Sequence, residues 1–492
     1  MNLKKLLLLL IILVSFFLRF YRMADYMTFL GDEGRDALVV KRMLVDHKFT
    51  LLGPATSIGN MYLGPLYYYF MIIPMVLTNL SPLGPAMMVA LFGVITVFLL
   101  YKITKEWFGE KAAFIAAGLY AVSPSIISNT RSSWNPNPMP LFALILVYSL
   151  YKTAKGRPSW FAVSLASLAV VLQLHYMSLF LIPLIGLFWI ISFKLNNNKK
   201  FKKDLLTFTL LGIGLFLILF GPFILFELRH DFINTKGLIS FIKENQDPNM
   251  SQRKTDFNPL KNFLLFIPIW EQVFHRILPQ ILNKLTVVIS LISLITGLYL
   301  VIKSYVAKKL DLPLFTLMSW MVIGIFGVSF YRGVMNDHYI GFLFPTPFIL
   351  FGYLISRFLG NKKVLISLIV IPMVLANIRF VDLFISTGDK QLTRTDQVTD
   401  FIIEKANGNP FNFAIISGHN YEDPYTFFFE IKGKAPIETS QKIEDQLFVV
   451  CEGECQPVGN PKWGIASFGW TKIEGEWQLD GRKVYKLVHY NP

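Results

Sequence analysis

The sequence predicts an α-helical polytopic membrane protein of about eleven transmembrane helices with a carboxyl-terminal extracytoplasmic α/β domain. Three observations predict it. Of 492 residues, 53% are hydrophobic and only 16% charged, where soluble chains carry about 25% charged residues. Apolar segments of spanning or near-spanning length recur from the amino terminus to about residue 380. Basic residues gather in alternate connecting loops, which is the pattern of an oriented membrane protein. The net charge of +15 therefore reads as an orientation signal and not as a nucleic-acid surface.

Each element follows in order. The amino terminus, MNLKKLLLLLIILVSFFLRFYRM, lacks a small-x-small cleavage site and is followed by Arg19 and Arg22, so it reads as an uncleaved anchor. The spans fall at roughly 5–21, 82–101, 112–128, 136–151, 159–174, 176–193, 205–226, 284–302, 312–330, 339–356 and 363–379. Several are shorter than the ~20 residues a spanning helix needs, so snorkelling and flanking aromatics must extend them. Loops 102–111, 152–158, 194–204, 303–311 and 357–363 carry 3, 3, 5, 3 and 3 basic residues. These, with Lys4 and Lys5, mark the cytoplasmic ends in a plasma membrane, with the amino terminus inside and the last domain outside.

Pro65–Leu80, PLYYYFMIIPMVLTNL, is apolar enough to cross, but counting it would reverse every later loop. It reads as an aromatic helix in the outer interface, where Tyr67, Tyr68 and Tyr69 fit the depth. Residues 22–81 then form one long outer loop and residues 227–283 a second, the latter either a movable cover or an ordinary surface loop. Residues 1–380 are taken as the membrane domain and 381–492 as the outer domain. In the latter, a helix near Asp396–Ala406 precedes the strand candidates FNFAIIS, YTFFFEI, DQLFVV, KWGIASF and KVYKLVHY. An outer compartment permits a local disulfide between Cys451 and Cys455.

The stretch Leu30–Lys41, LGDEGRDALVVK, concentrates the chemistry. In a helix starting near Gly31, Asp32, Arg35 and Asp36 share one face. Asp32 alternatively serves only as an N-cap with Arg35 as its salt-bridge partner. The predicted topology brings further polar groups to the same side: Asn60, Tyr62, Arg131, Trp134, Asn135, Gln173, His175, Tyr176, Glu227, Arg229, His230, Asp231, Arg332, Asn336, Asp337, His338 and Tyr339. These acids and histidines leave a divalent metal open, without an HExxH-type spacing to specify one. No tightly bound cofactor is expected. Acids, arginines and aromatics at an outer leaflet suit sugar transfer from a lipid-linked donor. The phosphate leaving group calls for a cation, and the acceptor hydroxyl for a carboxylate base.

The chain resembles the family 39 C-type glycosyltransferases, the group of the dolichyl-phosphate-mannose protein mannosyltransferases and the bacterial lipid A aminoarabinose transferases. The likeness rests on a first span followed by GDEGRDA, on the proline-started aromatic helix PLYYYF, and on a span ending in a basic loop and Phe108-Gly109. QLHYMSLFLIP is a looser match. The resemblance implies a polyprenyl-phosphate-sugar donor, a glycan, lipid or protein acceptor, and an acidic pair at Asp32 and Glu33. Asp32 is implied as the base, Glu33 as a positioning or metal-binding acid, and Arg35 as a phosphate ligand. Two features depart from the family. Gly64-Pro65 stands where relatives often have Lys-Pro or His-Pro, so either Arg35, Arg229 or Arg332 holds the donor phosphate or the donor is held differently. No carbohydrate-binding repeat domain is evident either. Asp36, Tyr62, Tyr67, Tyr68, His175, Tyr176, His230 and His338 complete the expected substrate-binding set. The competing classes are a transporter or lipid flippase, which would place polar groups near the midplane, and a non-catalytic scaffold.

Overall fold

The computed structural model describes residues 2–56, 61–244, 264–331 and 335–490. Helices occupy all eleven apolar segments. Local chemistry sets several of their starts. Asn198 accepts from the Lys200 amide at 2.9 Å, Asp311 accepts from the Leu314 amide at 3.1 Å, and Pro183, Pro313 and Pro347 sit in first turns, where a missing N–H leaves nothing unpaired. Among the described residues, four helical stretches suffice by length and composition to cross a membrane alone: Leu83–Phe108, Tyr176–Lys194, Lys199–Arg229 and Gln280–Val306. A fifth, Asp337–Leu343 with Thr346–Leu359, is bent by 51°. The remaining helices are shorter or more charged, so the expected count of about eleven exceeds what these criteria establish.

Alternate loops meet at opposite ends of the bundle. At one end Lys4 pairs with Glu110, Lys152 Nζ lies 2.5 Å from Glu106 Oε1, and Lys111 Nζ donates to the Gly360 carbonyl at 2.9 Å. At the other, Arg131 donates to the Tyr21 carbonyl at 2.9 Å, Asn135 to Leu174 at 2.7 Å, and Asn377 to Ile277 at 2.9 Å. The first end carries the basic loops. The second carries the acidic helix, Gly31–Val45, and the aromatic helix, Leu66–Leu77, both near their expected positions.

The last hundred residues form a four-stranded sheet in the order β1-β2-β4-β3, with β1 (Asn412–Ile416) parallel to β2 (Gln446–Cys451). β4 (Arg482–His489) runs antiparallel to β2 and to β3 (Thr471–Leu479). Cys451 and Cys455 are disulfide-bonded. Two strand expectations are corrected. YTFFFEI lies in a helix, Asp423–Ile431, and the middle of KWGIASF forms the short helix Trp463–Ala466. The first is buried on both sides. Tyr425 and Phe429 pack with Ile402, Phe448 and Val450 under the sheet, while Phe427 joins the core of the bundle. Its four closely spaced aromatic residues face both the sheet and the bundle, and that run imitates a strand. In the second, Ile465 and Phe468 reach the opposite sheet face at i and i+3, too short a pattern to read. β3 is a largely exposed edge strand, which is why it offers no apolar run.

Helix Asp423–Ile431 lies directly on the acidic helix. Glu430 Oε2 accepts from Lys41 Nζ at 3.0 Å, and its Oε1 accepts from Arg42 at 2.5 Å. The two backbones approach closely because Gly34 has no side chain. A Cβ there would lie 2.4 Å from Pro424 Cγ and 2.5 Å from its nitrogen. Alanine favours a free helix over glycine by about 1 kcal/mol. In this contact the sign inverts, and Gly34→Ala is expected to lower the melting temperature by several degrees and to open the chain near residue 385 to protease. Thermal unfolding and limited proteolysis of the detergent-solubilised protein measure both; a raised melting temperature would refute the contact.

Candidate active site

The acidic helix begins at Gly31, with Leu30 at its N-cap, so Asp32 is not the cap. Glu33 takes the capping role: its Oε2 accepts from the Leu30 amide at 3.2 Å. That frees Asp32 for the face it shares with Arg35 and Asp36. Arg35 NH1 donates to Asp32 Oδ1 at 2.7 Å, while its Nε and NH2 donate to Asp36 Oδ1 at 3.0 and 2.7 Å. Three of the five guanidinium donors are thus committed to the two acids.

The three acids sit in different environments. Asp36 is fully buried, and Tyr68 adds a third donor to its Oδ1 at 3.1 Å. Burial pushes its pKa up to about 6, against the opposing pull of Arg35. Glu33 is buried too. Desolvation raises it to about 7, with the charges of Asp32 and Asp36 adding to the rise and the backbone bonds of the cap opposing it. Asp32 alone faces solvent, its side chain 44% exposed, and its Oδ2 makes no hydrogen bond among the described residues.

Around this face the loops converge. The His338 ring packs on Trp134 at 4.4 Å, on Tyr339 at 4.6 Å and on His175 at 5.3 Å, within electrostatic reach of Asp32. Burial, with His338 beside it, pulls the His175 imidazole down to about 3, so it is neutral, and its Nδ1 accepts from the Met177 amide at 3.2 Å. Thr28, Ser132 and Ser133 stitch the loops: the Thr28 amide donates to Ser132 Oγ at 2.9 Å, and Tyr67 Oη lies 2.8 Å from Ser133 Oγ.

Several expected site residues lie elsewhere or are occupied. Tyr67 and Tyr68 are buried and hold Ser133 and Asp36, so neither presents a ring to solvent. Tyr62 and Tyr176 belong to a second locus. Tyr176 Oη donates to the Tyr62 carbonyl, the Tyr62 amide donates to Asn234 at 2.7 Å, and Asn234 donates to Glu227 at 2.8 Å. The buried Glu227 thereby caps the helix Ile233–Glu244. His230 is exposed and stacks on Phe226 at 4.0 Å. Arg229 is exposed and makes no ion pair among the described residues. Arg332 and Asn60 lie outside the described residues, as do positions 245–263 of the second long loop.

One residue escaped the sequence reading. Arg276 is buried, its guanidinium 3.8 Å from the Phe344 ring centroid and 2.5 Å from Asp337 Oδ1, next to His338. Its Nε has no partner among the described residues. With Ser125, Gln280, Asn283 and Asp337 it lines a cavity of about 570 Å³. The run EQVFHR was the available signal. Gly64 also has a structural reason: a Cβ there would fall 2.2 Å from the side-chain oxygen of Gln173, which lies buried against the loop.

Residues 63–226 match the family model described as dolichyl-phosphate-mannose-protein mannosyltransferase. A Bacillus subtilis protein described as "Putative mannosyltransferase YycA" is 33% identical over 130 residues, which is 26% of this chain and only 19% of that relative. ArnT from Cupriavidus metallidurans bound to undecaprenyl phosphate shares the fold, with a TM-score of 0.59 at 13% identity over 98% of this chain and 97% of that one. So does the Archaeoglobus fulgidus oligosaccharyltransferase in complex with Zn and sulfate, with a TM-score of 0.52 at 12% identity over 91% and 68%.

The raised pKa of Glu33 has a measurable sign. A carboxyl raised from 4.5 to about 7 on folding contributes stability fully below pH 4.5 and loses it as pH rises through 7. Glu33→Gln retains an acceptor for the Leu30 amide and does not titrate. The variant is expected to gain several degrees of melting temperature on wild type between pH 5 and pH 8. A difference independent of pH would refute the assignment.

Proposed function

From the C-type glycosyltransferase fold and the cluster at one end of its bundle, we propose that the chain transfers a sugar from a polyprenyl-phosphate donor to an acceptor hydroxyl of a cell-envelope glycan, lipid or protein, on the outer face of the plasma membrane. The amino terminus then faces the cytoplasm, as the basic loops at the opposite end support. The observation that carries this reading is the partition of the three acids. Glu33 is spent on the helix cap, Asp36 is buried, and only Asp32 is exposed with one oxygen free. Arg35 grips the other oxygen and fixes the direction of the free one.

In this mechanism Asp32 Oδ2 takes the proton of the acceptor hydroxyl as the acceptor oxygen bonds to the anomeric carbon. The bond from that carbon to the phosphate oxygen breaks, and its electron pair leaves with polyprenyl phosphate. A single displacement inverts the anomeric centre. The departing phosphate needs positive charge. Arg35 has two N–H groups left, and Arg276, joined through Asp337 to the loop of His338, lines a cavity of about 570 Å³. Their positions support the pair better than the exposed Arg229. The neutral His175 and His338, with Trp134 and Tyr339, form an aromatic wall suited to a sugar ring. Among the described residues no three His, Cys, Asp or Glu side chains converge as a donor set for a divalent metal, and Arg35 lies between Asp32 and Asp36. No step is therefore routed through one.

Asp32→Asn is expected to reduce transfer about 10²–10⁴-fold with folding and membrane insertion intact. The assay follows label from a panel of polyprenyl-phosphate sugars in membranes carrying wild type or variant. Wild-type rates from the variant would remove Asp32 as the base.

A further inference from the structure

The outer domain does more than rest on the bundle. Its loop Ser417–Asp423 ends beside the candidate base. The Tyr421 ring lies against Gly31, where a Cβ would fall 2.0 Å from ring carbon Cδ2, and Asp32 is the next residue. Asp423 is half-buried and within electrostatic reach of both Arg35 and Asp32. Tyr421 is nonetheless 60% exposed, and its hydroxyl makes no hydrogen bond among the described residues.

An exposed tyrosine alone carries little meaning. This one stands on a rigid mount. Glu452 accepts from Ser417 Oγ, Asn420 Nδ2 and Tyr425 Oη, each at 3.0 Å, and from Arg482 Nε at 2.9 Å. The Asn420 amide donates to Ser417 Oγ at 3.1 Å, and the Tyr421 amide to Asn420 Oδ1 at 2.9 Å. The loop is thus locked on both sides of an aromatic ring that lies against a glycine. A tyrosine ring offers an apolar face and a polar tip, and a pyranose offers the matching pair, a C–H face edged by hydroxyls. A lipid-borne donor enters from the bundle, whereas Tyr421 comes from the domain stacked on its end.

We propose that Tyr421 is the stacking platform for a saccharide acceptor, which selects a glycan hydroxyl over a protein or lipid one; this rests on the transferase reading above. The acceptor ring lies on Tyr421 with a hydroxyl turned to Asp32, and Asp423 takes a hydrogen bond from a neighbouring hydroxyl. The probe is an array of cell-envelope mono- to tetrasaccharides, applied to the full-length protein in detergent, with titration of the glycans retained. Wild type, Tyr421→Phe and Tyr421→Trp are expected to hold the same glycans. Tyr421→Ala should bind them at least tenfold more weakly at an unchanged melting temperature. Equal binding by Tyr421→Ala, equal loss by Tyr421→Phe, or no glycan held by wild type would each overturn the proposal. Transfer separates it from its premise. If wild type glycosylates a peptide or lipid and Tyr421→Ala does so equally, the platform fails and the transferase stands. If glycans bind through Tyr421 but no polyprenyl-phosphate donor is used, the platform stands and the transferase fails.

Discussion

The guanidinium of Arg35 between Asp32 and Asp36 is the interaction on which the site depends. Three acids within five residues repel one another, and repulsion alone would drive protons onto them. Arg35 removes that conflict by lying between two of them, and the cap at Leu30 gives the third a different task. One short helix thereby presents one carboxylate to the outside. Without that arginine, Asp36 would lose its guanidinium partner and the Asp32 carboxylate its fixed direction. Because the site sits on a helix and not on a loop, the direction of the Asp32 carboxylate is set by backbone geometry as well as by its partner.

That helix needs support from a distance. Lys41 and Arg42 are bound by Glu430, nearly 390 positions later, and Gly34 receives Pro424 from the same helix. The Phe29 amide donates to Gln391 at 2.8 Å, from the start of the carboxyl-terminal domain. The two ends of the chain therefore build one surface. A charged pair such as Lys41–Glu430, largely buried, adds little net stability against an apolar alternative but is costly to break by half. It is better understood as a register device that holds the acidic helix at one rotation.

Much of this was legible from residue order. The acidic helix, the aromatic helix and the meeting of alternate loops all follow from local periodicity and from the placement of lysine and arginine. Other features were not, for a shared physical reason. The helix Asp423–Ile431 buries aromatic residues against both the sheet and the bundle, so its aromatic run reads as a strand. Tyr67 and Tyr68 read as ligands because aromatic residues at an interface suggest one, yet their hydroxyls serve buried partners. Arg276 stood out only as part of the run EQVFHR, because its meaning lies in Asp337 and Phe344, more than sixty positions on. Contacts between distant segments leave no imprint on either segment alone.

The glycine at position 64 joins these threads. Relatives of the resembled family often carry a lysine or histidine before the aromatic helix, and here the space for any side chain is taken by Gln173. Gln173 is itself held, donating to the Ala169 and Leu219 carbonyls at 3.0 and 3.1 Å. Restoring a lysine there would collide with a buried, anchored amide instead of filling an empty seat. The absence of a side chain at position 64 is therefore built into the packing of two helices against this loop. A leaving phosphate still requires positive charge, and the requirement passes to arginines held elsewhere at the same end of the bundle. Arg35 is mostly committed to its two acids, whereas Arg276 pairs with one acid and lines a cavity. Charge balance in the proposed reaction thus favours a division of labour, with Arg35 orienting the base and Arg276 receiving the leaving group.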